Sequence, residues 1–225
     1  GRRHRQGEGV GVKGPWGYPL KGDGDTALYT FLRWLAVPFF GGLYRCRVRG
    51  AEHLPRSGPA LVVMTHKCFW DPVVAGMVFA RPLRFMAKRE LFANRQAARF
   101  ISSLGAFPLD RGAGDRAALQ TALAVLERGE VLLMFPEGHR QIDDAVHEFM
   151  PGVGMIALRS GAPVIPLALD GTQYMWRDGR PGFPALRGQV GPPVDLSDIT
   201  TRNSKAYREA ARRMFAAVAG LYAGL

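Results

Sequence analysis

A chain of 225 residues is long enough for one sizeable domain or two small ones, and a hydrophobic fraction of 47% supplies a real core. Two cysteines far apart in sequence, Cys46 and Cys68, offer neither a disulfide framework nor a metal site; each suits a small buried apolar position, and the pair suits a reducing compartment. The formal net charge of +11 fits nucleic acid, an anionic membrane or a phosphorylated substrate, but no zinc-finger spacing, RNP-like aromatic motif or recognition helix supports the first, so no nucleic acid is expected as a partner.

Residues 1–25 are Gly-rich, polar and basic without periodicity, the pattern of a flexible basic arm, with Trp16 and Tyr18 as candidate local anchors. Residues 26–44 are the most hydrophobic stretch near the N-terminus, interrupted by Arg33, Pro38 and a Gly pair. A membrane-spanning helix needs roughly 20 mostly apolar residues, which this run does not provide. No small-residue cleavage site follows it, so a signal peptide fits poorly. Its Trp, Tyr and Phe content predicts a kinked helix lying in a membrane interface, the alternative being a helix packed on the domain.

Residues 44–50 alternate Tyr44, Cys46 and Val48 with Arg45, Arg47 and Arg49, a half-buried strand. The apolar run 59–65 reads as a buried strand that ends at His66-Lys67-Cys68-Phe69-Trp70-Asp71. Pro72 opens a helix over 73–80, with Asp71 as its expected N-cap. A strand over 82–88, a helix over 93–104 and a short strand over 106–109 lead to Asp110 and Arg111. Basic residues concentrate here at Arg81, Arg84, Lys88, Arg89, Arg95 and Arg99, either a contact surface for an anion or an ordinary solvated face.

A helix over 115–128 carries the stripe Leu119, Ala122, Leu123 and Leu126, with Asp115 as N-cap and Gly129 as its stop. A buried strand over 131–135 runs into Pro136-Glu-Gly-His-Arg140. A helix over 152–160, a strand over 163–169, a loop-rich stretch over 171–200 with an edge strand at 189–194, and a helix over 202–222 complete the chain. This alternation predicts an α/β fold: a layered mixed, mostly parallel sheet flanked by helices, with the amphipathic segment 26–44 in front. Sites in such sheets gather at the carboxyl ends of strands, where His66, Asp110-Arg111 and Glu137-Gly138 all fall.

With a turn between them, Asp71 can accept a hydrogen bond from one imidazole nitrogen of His66, leaving the other as a general base. The alternative at this spacing is a plain cap beside a packed histidine. An arginine at a strand end, Arg111, suits a phosphate through its planar fork, or pairs with Asp110. Gly138 lets backbone approach a ligand, and Glu137 can hold a hydroxyl or fix Arg111 or Arg140. His139 and His147 lack the carboxylate spacing of a metal site, so no metal and no cofactor are expected.

The set in order, His-x4-Asp, Phe107-Pro-Leu-Asp-Arg111, Phe135-Pro-Glu-Gly-His-Arg140 and Val164-Ile-Pro-Leu167, resembles the glycerolipid acyltransferases, best known as 1-acyl-glycerol-3-phosphate acyltransferases. The resemblance covers about residues 50–170. It implies an O-acyltransferase domain over 45–225 at the cytoplasmic face of the cell membrane, peripheral or monotopic on an anionic surface. A fatty acyl group would pass from acyl-CoA or acyl-carrier protein, as thioester donor, to a lysophospholipid hydroxyl. In that picture His66 takes the hydroxyl proton, Asp71 supports the imidazolium, and Arg111 binds the acceptor phosphate. Glu137, Gly138 and Arg140 shape the acceptor site, backbone donors near Gly138 face the oxyanion, and no covalent acyl-enzyme forms on Cys68. Two positions depart from the family: His139 stands where Thr is frequent, and Met150, in Phe149-Met-Pro-Gly152, where Lys often follows Phe. Both flank the acceptor site and open the acceptor to another lysophospholipid or a glycolipid. A non-enzymatic lipid-binding module is the other reading.

Overall fold

The computed structural model describes residues 27–79, 81–109, 114–141, 143–177 and 179–225; the arm over 1–25 lies outside them. In chain order the elements are α1 (Ala27–Leu43), β1 (Arg47–Arg49), β2 (Ala60–Met64), α2 (Asp71–Val78), β3 (Leu83–Lys88), α3 (Arg95–Ser103) and β4 (Ala106–Leu109). Then follow α4 (Gly114–Glu127), β5 (Val131–Met134), α5 (Pro151–Ser160), β6 (Val164–Asp170), β7 (Trp176–Arg177), β8 (Arg180–Pro181), β9 (Arg187–Val190) and α6 (Ser204–Tyr222). Seven strands form one sheet in the order β1-β9-β6-β2-β5-β3-β4, and β7 and β8 pair separately. Every neighbour pair in the large sheet is parallel except β6 with β9. The sheet is therefore the mostly parallel, helix-flanked one expected.

Burial explains why β2 is central. All five of its residues are buried, the mark of a strand covered on both faces. Ala60, Val62 and Met64 enter one core beneath α1 and α2, while Leu61 and Val63 enter the other beneath α4, α5 and α6. The strand expected at 189–194 differs in place and in role. It starts at Arg187 and is internal, because β1 pairs along it. The Arg-Gly-Gln-Val sequence conceals this: Gly188 replaces the apolar residue of an ordinary inner strand and admits Val48, whose Cγ2 lies 3.1 Å from where a Cβ would stand. Asp115 also shifts, from expected cap into the first turn of α4, which opens at Gly114.

Helix α1 has two apolar faces. Tyr29, Arg33, Val37 and Phe40 are buried at helical spacing toward α2. The Tyr29 hydroxyl donates to the Gly76 carbonyl at 3.2 Å, and Arg33 Nη2 to that of Met77 at 3.2 Å, meeting carbonyls in the last turn of α2. Phe31, Trp34, Leu35, Phe39 and Leu43 are exposed on the opposite side. Residues 27–43 are thus a helix packed on the domain that keeps a second apolar surface outward. Among the described residues no helix is long and apolar enough to cross a membrane.

Helices α5 and α6 meet in close contact at Gly154, where a Cβ would stand 2.1 Å from the Tyr207 carbonyl oxygen. That oxygen is backbone and cannot swing away. Gly154→Ala is expected to cost about 2 kcal/mol by overpacking. Thermal melting followed by circular dichroism should show a fall of about 5 °C. An unchanged midpoint would mean the two helices separate freely.

Candidate active site

The parallel register of β2 and β5 sets Val63 beside Met134, so three residues further on His66 and Glu137 stand level at the carboxyl end of the sheet. The Glu137 carboxylate crosses this gap. Its Oε2 accepts the His66 backbone N–H at 2.9 Å and its Oε1 that of His147 at 3.0 Å. Glu137 is only 5% exposed. Both oxygens serve main chain, and among the described residues no arginine side chain donates to them. Gln141 N–H in turn donates to the His66 carbonyl at 2.7 Å, so the loop after β5 holds the histidine's backbone from both sides.

Helix α2 begins at Asp71, with Trp70 in the cap position and no side-chain cap bond. Asp71 is therefore not the N-cap. Its carboxylate turns back to the preceding loop, where Oδ2 accepts from His66 Nδ1 at 3.0 Å and from the Lys67 and Cys68 N–H groups at 2.7 Å each. The carboxylate is 1% exposed, and Oδ2 takes all three of these bonds while Oδ1 is buried with no hydrogen-bond partner among the described residues. Because Nδ1 is the donor, Nε2 carries the lone pair. The imidazole is further fixed by stacking on Phe135, with ring centroids 4.2 Å apart and planes at 28°. Burial raises the pKa of Cys68 and pushes the Cys46 thiol up to about 12, so both stay protonated and neither is poised as a nucleophile.

Gly138 has φ 80°, and a Cβ there would meet Met150 Sδ at 2.8 Å. Its own N–H donates to the Phe135 carbonyl at 3.2 Å, so it closes the turn instead of facing an oxyanion. Arg140 is exposed on the same loop. Asp110 and Arg111 lie outside the described residues; β4, which precedes them, ends on the same side of the sheet as β2 and β5. His147 Nε2 pairs with the Asp143 carboxylate at 2.8 Å, and among the described residues no group of three metal-ligating side chains occurs.

A model of the family described as Acyltransferase matches residues 45–170. The chain belongs to the acyltransferase family. It is 30% identical over 198 residues to the 1-acyl-sn-glycerol-3-phosphate acyltransferase of Streptococcus pneumoniae, covering 85% of this chain and 72% of that one. It is 30% identical over 163 residues to the Bacillus subtilis protein of the same name, covering 71% and 78%. The crystal structure of the 1-acyl-sn-glycerophosphate (LPA) acyltransferase PlsC from Thermotoga maritima has the same fold, with a TM-score of 0.67 at 23% identity over 86% of this chain and 79% of that one.

In this acyltransferase one site residue escapes sequence reasoning. Lys67, next to His66, is buried. Its Nζ donates to the Asp143 carbonyl at 2.7 Å and to that of Ala145, lies 3.5 Å from the Asp143 carboxylate and sits 5.4 Å from the Tyr222 ring centroid. Tyr222 donates to Asp170 Oδ1 at 3.0 Å; burial and that bond raise its pKa. Lys67 thus staples the His66 loop to segment 143–145 and to α6. A lysine amid the motif's apolar residues is the available signal, and lysine is ordinarily a surface residue.

Proposed function

We propose that this acyltransferase moves a fatty acyl group from acyl-CoA or acyl-carrier protein to the free hydroxyl of 1-acyl-glycerol-3-phosphate, giving phosphatidate. The observation that carries the chemistry is the Nδ1 bond from His66 to Asp71, which leaves Nε2 as the base. His66 Nε2 takes the hydroxyl proton as the acceptor oxygen attacks the thioester carbonyl carbon. Collapse of the tetrahedral intermediate breaks the C–S bond, and the imidazolium returns the proton to the departing thiolate. The Asp71 carboxylate holds the Nδ1–H and offsets the imidazolium charge. Arg111 is assigned to the acceptor phosphate, and Gly138 and Arg140 to the wall of the acceptor site. Glu137 acts through main chain, as a positioning residue.

The outward face of α1 supports a peripheral, monotopic seat on a membrane, and the net charge of +11 favours an anionic surface such as the cytoplasmic face. Phe69, 54% exposed within the His-x4-Asp loop, brings that greasy surface to the site itself. A second acceptor, another lysophospholipid or a glycolipid, is favoured by one observation: exposed Met150 covers Gly138 with an apolar side chain at the acceptor wall.

An acceptor panel with one labelled acyl-CoA tests the assignment. The expected result is turnover of 1-acyl-glycerol-3-phosphate at least about tenfold above a neutral monoacylglycerol, the preference of about 1.4 kcal/mol or more that one charge-assisted phosphate contact supplies. Conversion of only non-phosphorylated acceptors would remove Arg111 from its role.

A further inference from the structure

Arg45, Arg47 and Arg187 surround a cleft of about 230 Å³, with Ala185 as its fourth lining residue. Three features make this more than scattered surface charge. Register sets Arg47 directly beside Arg187 on neighbouring strands, a like-charge pair that destabilises a sheet unless an anion lies between. Among the described residues no carboxylate pairs with Arg45 or Arg47. The next side chain along the row, Asp170, directs Oδ1 to Tyr222 and Gln173 instead, and among the described residues Arg187 Nη1 donates to the Leu225 main-chain oxygen, at 3.0 Å. Finally, Arg45 is the one described residue other than glycine with a positive φ, 45°, a strained conformation of the kind kept at ligand clamps.

The topology says which way the cleft faces. β9 runs antiparallel to β6 and parallel to β1, so both begin at the end of the sheet where β6 and β2 finish. Arg187 thus stands at the His66 end, two strands or about 10 Å from β2. The rim is apolar. Exposed Phe39 packs on Tyr44 at 5.8 Å between ring centroids, Tyr44 on exposed Phe183 at 5.8 Å, and Tyr44 and Phe183 lie next in sequence or nearly so to Arg45 and Ala185. A cationic cleft bordered by exposed rings, continuous with the outer face of α1, matches a bilayer surface, where phosphates lie just above the acyl chains.

We infer that Arg45, Arg47 and Arg187 clamp the phosphate of an anionic phospholipid in the bilayer, seating the catalytic end of the sheet on the membrane. This rests on the membrane-bound reading of the enzyme. The relief of like-charge repulsion then comes with docking, and each guanidinium fork adds directed bonds to phosphate oxygens.

The test is partition of the full chain onto vesicles of phosphatidylcholine alone or mixed with phosphatidylglycerol, by sedimentation. The clamp variant is Arg45→Gln with Arg47→Gln and Arg187→Gln. The control is Arg202→Gln with Lys205→Gln and Arg208→Gln, exposed cations at the far end of α6 from Tyr222. At about fivefold per charge near the surface, the clamp variant should lose about a hundredfold in partition to anionic vesicles, and the control about twofold or less. Replacing the same three arginines by lysine should lose about tenfold, since charge remains and the forks go. The clamp variant should melt no lower than wild type.

Equal losses in clamp and control variants would overturn the clamp in favour of diffuse charge. Wild-type partition in the clamp variant would overturn it outright. A rise in KM for acyl-CoA in detergent micelles, with vesicle binding intact, would assign the cleft to the donor's phosphates instead. Wild type that binds neither vesicle would sink the membrane reading itself, a result distinct from the others.

Discussion

His66→Ala is expected to lower acyl transfer by about a thousandfold or more while the chain stays folded, because a positioned general base contributes about 10² to 10⁴ to such a step. Folding should survive for a local reason. The lost ring leaves Asp71 Oδ2 still accepting from the Lys67 and Cys68 N–H groups at 2.7 Å, so the buried carboxylate keeps two of its three donors. The His66 backbone also keeps its bonds to Glu137 and Gln141. What goes is the stacking on Phe135 and the only base that the Asp71 bond orients. Release of free CoA in the presence of acceptor, with circular dichroism alongside, measures both parts. Turnover within tenfold of wild type would falsify the general-base role, and with the Cys68 pKa raised by burial no thiolate waits in the loop to take over.

The contrast between His66 and Glu137 shows what a sequence can disclose. The His66 to Asp71 bond spans five residues around a single turn, and strand, turn and helix are all written locally. The parallel sheet is legible for the same reason: β2, β5 and β6 are largely apolar runs with helix patterns lying between them in the sequence. The partners of Glu137 depend on the register of β2 against β5, 71 residues apart along the chain, and no local pattern specifies it. Lys67 is hidden differently. Its hydrogen bonds go to the carbonyl oxygens of Asp143 and Ala145, which every residue possesses, and its side-chain neighbours Asp143 and Tyr222 lie 76 residues or more away, so no local pattern points to it. β9 is obscured because Arg187 and Gly188 lack inner-strand character, though β1 makes them inner. The exposed rings of α1 were legible as apolar but not as a second face, because the first face is defined only by where α2 lies.

Glu137→Gln separates the two roles that residue can have. The amide keeps one acceptor oxygen but must point its NH₂ at a backbone N–H, either that of His66 or that of His147, which Glu137 now serves at 2.9 and 3.0 Å. A charge-assisted bond is worth about 1.5–3 kcal/mol, and a buried donor left facing another donor costs on that scale. The melting temperature should fall by about 5 °C or more. The site should suffer as well, because the loop loses the anchor on the backbone nitrogen of His66, the proposed base. A shift approaching 1 Å between base and hydroxyl costs about a hundredfold, so kcat should drop by that order while KM for the acyl donor moves little. A glutamate that touched the acceptor would behave differently: KM for the acceptor would rise, and the melting point would hold. Measuring the melting point, kcat and both KM values on one variant therefore tells an anchor from a ligand. An unshifted melting temperature with a raised acceptor KM would return Glu137 to the substrate.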